Sequence, residues 1–87
     1  MAAWWCEVTE GFDLDAHDLL RLEATCSAWD RMTAARCVIE KEGLSYIDAK
    51  GMIRARPEVA IERDSRTGFM RGVRELDLGA DVEPPRL

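Results

Sequence analysis

Histidine and cysteine are scarce in this chain: His17 stands alone, and Cys6, Cys26 and Cys37 are the three thiols among 87 residues. No pair of cysteines has C-x-x-C spacing and no second histidine joins His17, which disfavours both a zinc site and a disulfide framework. Reduced thiols are expected, with Cys26 and Cys37 packing as small hydrophobes on a helix. His17 sits between Asp15 and Asp18, where a surface histidine beside carboxylates has a structural role far more often than a catalytic one. Glu7, Glu10, Asp13 and Asp15 form an acidic run rather than a spaced pair, so neither a glycosidase-like nor a two-metal arrangement follows. Gly68 and Gly72 lack the Lys-Ser/Thr of a nucleotide-binding turn. With no nucleophile, poised base or metal set, no enzyme and no cofactor are expected. Long apolar runs are missing too. The run of Met1 to Cys6 ends at Glu7 and no basic stretch precedes it, so neither a secretory leader nor a membrane span is expected, and the chain reads as soluble and intracellular.

What is present is an ordinary globular mixture, 47% apolar and 33% charged, sufficient for one domain and too short for two cores. Residues 1–12 read as a short lead with two tryptophans, closed by Glu10-Gly11. Asp15 can then cap a helix, with Asp18 at the third position as a weaker capping box. Leu19, Leu22, Cys26, Trp29, Met32 or Thr33, and Arg36 or Val38-Ile39 recur at three- and four-residue steps until Glu40-Lys41-Glu42-Gly43 ends the stripe. A helix of roughly 26 residues would be about 40 Å long. A second helix runs from Pro57 to about Leu76, with Val59, Ala60, Ile61, Phe69, Met70, Val73 and Leu76 as its apolar residues. Gly68 and Gly72 lie inside it, each costing about 1 kcal/mol relative to alanine, and close approach of another helix is the simplest reason for them.

Between the helices, Gly43 suits a left-handed helix end and Pro57 a helix start. Leu44, Tyr46, Met52 and Ile53 flank Asp48-Ala49-Lys50-Gly51, which predicts a small hairpin over about 44–56. The expected fold is therefore mainly α: two long antiparallel helices joined by a small β-hairpin, with a short N-terminal lead, forming one domain over residues 1–79. Residues 80–87, with Pro84-Pro85, are expected to be a mobile tail. Two helices and a hairpin make a thin layer. Trp4, Trp5, Phe69 and Met70 then need a further layer or another subunit, so self-association is expected. The packing and oligomer residues read from these patterns are Trp4, Trp5, Leu19, Leu22, Cys26, Trp29, Phe69, Met70, Val73 and Leu76.

The net charge of −5 is unevenly spread. Residues 1–48 carry four basic and ten acidic side chains, a net of −6; residues 49–76 carry seven and four, a net of +3. An acidic whole argues against indiscriminate nucleic-acid coating, while the basic middle permits local contact. Lys50 at the hairpin tip, with Arg54 and Arg56 along its second strand, could meet phosphate, and Arg63 and Arg66 are second choices. The alternative is that they solubilise an exposed hairpin edge and a solvated helix face, with ion pairs such as Glu62 to Arg66.

The order of features resembles the C-terminal half of phage small terminase subunits. The residues that carry the resemblance are Trp4-Trp5-x-x-Val8, Phe12-Asp13-Leu14-x-x-His17-x-Leu19-Leu20, Cys26-x-x-x-Asp30, Glu42-Gly43-Leu44, a hairpin with Gly51, Arg56-Pro57-x-x-Ala60-x-x-Arg63-x-x-Arg66-x-x-Phe69, and Glu75-Leu76-x-Leu78. The resemblance implies a non-catalytic DNA-packaging protein of the bacterial host cytoplasm. Such a protein assembles into a homo-oligomeric ring, recognises viral double-stranded DNA and delivers it to a large terminase subunit, without a membrane partner. Relatives of this branch carry a basic, proline-rich segment ahead of the tryptophan. The sequence starts at Met1 without it, so ring assembly is expected more firmly than DNA recognition. The competing expectation is a self-associating helical interaction module that binds no DNA.

Overall fold

The computed structural model describes residues 1–76, which form α1 (Ala2–Gly11), α2 (Ala16–Glu42), β1 (Ser45–Ile47), β2 (Ile53–Ala55) and α3 (Pro57–Leu76). The tail expected over 80–87 lies outside the described residues. α2 begins where Asp15 accepts the N–H of Asp18 at 2.8 Å, satisfying one of the free donors of the first turn. The second half of a capping box is not made, because the Asp18 carboxylate turns to Arg21 at 3.3 Å. At the other end Gly43 takes φ +86° and donates its N–H to the Ile39 carbonyl, and α3 opens on Pro57.

α2 and α3 run antiparallel. Thr25 lies against Gly72, Ala28 against Gly68 and Arg36 against Glu62, so later residues of one helix meet earlier residues of the other. Arg36 Nε and Glu62 Oε1, 3.1 Å apart, pin the end of this seam nearest the hairpin. Gly72 is where the α3 backbone meets the Thr25 side chain of α2: a Cβ there would stand 3.0 Å from Thr25 Cβ and 3.1 Å from Thr25 Cγ2, and would overlap Thr25 Oγ1. The close approach expected of the two glycines belongs to Gly72. At Gly68 the nearest atom, Ala28 Cβ, is 3.9 Å away.

The lead is the main departure from expectation. Expected only as a short packing element, it is a ten-residue helix that lays Trp4 and Val8 onto one face of the α2·α3 layer and supplies the third layer from within the chain. Its first turn is tied to α2 by the Met1 amino group, 3.7 Å from Asp30. Trp4, Val8, Leu22, Cys26, Ala28, Phe69 and Leu76 form the buried core, and Trp5, Trp29 and Val73 pack against it partly covered. Phe69 is its centre, with ring centroids 6.2 Å from Trp4 and 5.1 Å from Trp29. Trp4 and Phe69 therefore need no second subunit to cover them. Leu19 and Met70, also read as packing residues, lie outside this core, 39% and 52% exposed. Cys26 is buried as expected, and burial raises its thiol pKa above the ordinary value. Cys37, expected to pack like Cys26, is instead exposed.

Candidate functional site

The hairpin is built around one carboxylate. Asp48 Oδ1 accepts the N–H groups of Lys50 and Met52, both at 2.9 Å, and Oδ2 accepts Arg54 Nε at 3.0 Å, while Gly51 closes the turn at φ +79°. The Met52 N–H first and the Arg54 guanidinium second hold the Asp48 carboxyl below its ordinary value of 3.8. A carboxylate with a lower pKa in the folded state than in the unfolded one adds stability above the unfolded value, and loses it as pH falls through the folded one. We expect slowed amide exchange at Lys50 and Met52 near neutral pH, lost on acidification below 3.8. Asp48→Ala should exchange at the unprotected rate of a free amide at every pH, and protection in that variant equal to the wild type would contradict this reading.

The pairs Ser45 with Ala55, Tyr46 with Arg54, and Ile47 with Ile53 fix which residues share a face. Tyr46, Arg54 and Asp48 share one side, and the Arg56 guanidinium lies over the Tyr46 ring at 5.8 Å. Ser45, Ile47, Ile53 and Ala55 share the other, which has no charge. All six strand residues are exposed, Ile47 by 72% and Ile53 by 76%, with Leu44 and Met52 also largely open. An isolated two-stranded hairpin is marginal in water and ordinarily needs more strands or a helix beneath it. Here no helix covers it. The described chain measures 55 × 20 × 17 Å, and the hairpin projects from one end of its helices.

The structure places the five cations singled out above in different circumstances. Arg54 is paired with Asp48, and Arg56 Nε donates to the Glu42 carbonyl at 3.2 Å. Arg63 is 3.3 Å from Asp64 and Arg66 is 3.9 Å from Glu62, which Arg36 holds more closely. Among the described residues Lys50 has no side-chain partner.

A second feature lies on the face of the α2·α3 layer that α1 leaves open. Arg21, Ala24, Thr25, Ala28 and Arg31 from α2 and Gly68, Arg71, Gly72 and Glu75 from α3 line a cleft of about 270 Å³. Beyond Arg31 it continues toward the hairpin as an apolar groove of about 320 Å³ floored by Ala34, Ala35, Val38 and Ile61. The sequence reading missed the three arginines of the cleft. Their signal was helical spacing: Arg21 and Arg31 bracket Ala24 and Ala28 at steps of three and four, and Arg71 lies between the two glycines. Those small side chains leave the cleft open.

Compared with protein-family models, curated proteins and solved structures, the chain matches none. Among the described residues no group of three His, Cys, Asp or Glu side chains is placed to share a metal ion, and no helix is long and apolar enough to cross a membrane.

Proposed function

We propose that this chain is a small-terminase-like adaptor: a non-catalytic protein that assembles with copies of itself in the cytoplasm of a bacterial host, holds viral DNA and delivers it to a large terminase subunit. The observation that carries the assembly part is the uncovered hairpin. The chain completes its own core with α1 yet leaves Ile47 and Ile53 open, an apolar surface suited to a neighbouring subunit. The packaging part rests on the order of sequence features from Trp4 to Leu78.

One observation favours the second reading, a self-associating module without DNA contact: Arg54, Arg56, Arg63 and Arg66 are all engaged within the chain. Titration of duplex DNA at several salt concentrations separates the two. The adaptor binds, with affinity falling steeply as salt rises, because each neutralised phosphate releases counterions. The module binds at no salt concentration, and that result would remove DNA packaging from the account while leaving self-association in place.

A further inference from the structure

We propose that the cleft between α2 and α3 at Gly68 and Gly72 is a phosphate-binding site in which Arg31 and Arg71, joined by Arg21, are the ligating groups. Three guanidinium side chains line one concavity of about 270 Å³ in a chain whose net charge is −5. Neither Arg31 nor Arg71 has a carboxylate within ion-pairing distance among the described residues, in contrast to Arg36, Arg54, Arg63 and Arg66. For Arg31 helical spacing explains why, whereas Arg71 has Glu75 four residues on but makes no ion pair with it among the described residues. Positions three and four away from Arg31 are Ser27, Ala28, Ala34 and Ala35, none of which can pair with it.

Glu75 is the carboxylate in the cleft itself, and Asp64 and Glu58 line the grooves that continue past Arg31. Arg21 is shared with Asp18 at 3.3 Å in an exposed pair of the kind that contributes little and yields readily to a better anion. With three cations to one carboxylate, the cleft favours a doubly charged or multiply contacted anion. Guanidinium is suited to it, because its planar fork meets two phosphate oxygens at once. Small residues make room: Ala24, Ala28, Gly68 and Gly72 let the anion approach the helix surface between the arginines.

Phosphate has two sources here, the backbone of a nucleic acid and a small free polyphosphate. Duplex DNA as the source rests on the adaptor reading above, whereas the site itself does not. The experiment uses the full chain, wild type and Arg31→Gln/Arg71→Gln, a pair of exposed positions where the substitution keeps the aliphatic stem. Duplex DNA is titrated by fluorescence anisotropy across salt, and inorganic pyrophosphate by amide NMR shifts.

The wild type is expected to bind duplex, and the double variant to bind about tenfold or more weakly at low salt with a salt slope reduced by about 2. Lys41→Ala, at an exposed cation outside the cleft and the hairpin, should remain within about twofold of the wild type. Pyrophosphate should shift the Gly68 and Gly72 amides in the wild type and not in the double variant. Shifts at these glycines without any duplex binding would keep the phosphate site and discard DNA packaging. Duplex binding that is equal in wild type and double variant would overturn the site and keep the packaging reading. A wild type that neither binds duplex nor shows those amide shifts would overturn the site as well.

Discussion

Gly72→Ala is expected to destabilise the protein and Gly68→Ala to stabilise it, although both replace an internal glycine of the same helix four residues apart. Helix propensity alone favours alanine at each position by about 1 kcal/mol. At Gly68 nothing opposes the gain, because the new methyl would rest 3.9 Å from Ala28 Cβ in ordinary contact. At Gly72 the methyl would overlap Thr25 Oγ1 and press on Thr25 Cβ and Cγ2 at 3.0 and 3.1 Å. Thr25 cannot easily move aside. It is 2% exposed, and its hydroxyl donates to the Arg21 carbonyl at 2.7 Å. Forcing a methyl into a packed seam costs typically 1–3 kcal/mol, which offsets the propensity gain and leaves a net loss at Gly72 of up to about 2 kcal/mol. Thr25→Ala should recover part of it, giving a favourable coupling of about 0.5 kcal/mol or more in a double-mutant cycle. Urea midpoints of the wild type, the three single variants and the Thr25→Ala/Gly72→Ala double variant measure all of this. Stabilisation by Gly72→Ala equal to that by Gly68→Ala would mean that the helices do not approach at Thr25.

Phe69→Ala is expected to be the most damaging single truncation. Phe69 is 2% exposed and joins all three helices, touching Trp4 of α1 and Trp29 of α2 from its own place on α3. Removing a buried phenylalanine costs about 3–5 kcal/mol, the sum of lost transfer energy and the cavity left behind. A domain of this length has a total stability of about 4–13 kcal/mol, so the variant should lose from about a quarter to all of it and its unfolding midpoint should fall steeply. Phe69→Leu fills most of the space and should retain the fold with a lower midpoint. Far-ultraviolet circular dichroism and tryptophan fluorescence report the two ends of the effect, since Trp4 and Trp29 both face the ring. A Phe69→Ala midpoint within about 1 kcal/mol of the wild type would show that α1 does not close the core in this way.

The boundaries of α2, the Asp15 cap, the glycine at its end, the hairpin turn and the Pro57 start were all legible, because each depends on a few neighbouring residues with strong local preferences. α1 was not. Trp4, Trp5 and Val8 announced an apolar element, but Ala2 to Gly11 carries no side-chain cap, and only contact with α2 and α3 decides that it becomes a helical third layer. That contact also moved the argument for self-association. Of Trp4, Trp5, Phe69 and Met70, the residues that pointed to it in the sequence, the chain buries Trp4 and Phe69, partly covers Trp5 and leaves Met70 52% exposed. The larger open surface is Ile47 with Ile53, whose common face follows from the strand register. The arginines were hard to rank for a similar reason. Sequence places Arg54 and Arg56 in the basic segment, yet the folded chain spends them on Asp48, Tyr46 and the Glu42 carbonyl. Arg31 and Arg71 come from segments of opposite net charge and share a cleft only once α2 and α3 pack.

The assembly of this chain with copies of itself through the hairpin is tested most directly by its mass in solution, measured by light scattering at tens of micromolar. The wild type is expected at a multiple of 9.8 kDa, and Ile47→Asp/Ile53→Asp, which changes only exposed side chains, at 9.8 kDa with its helical content intact. A wild type that runs as a clean monomer of 9.8 kDa would contradict the account.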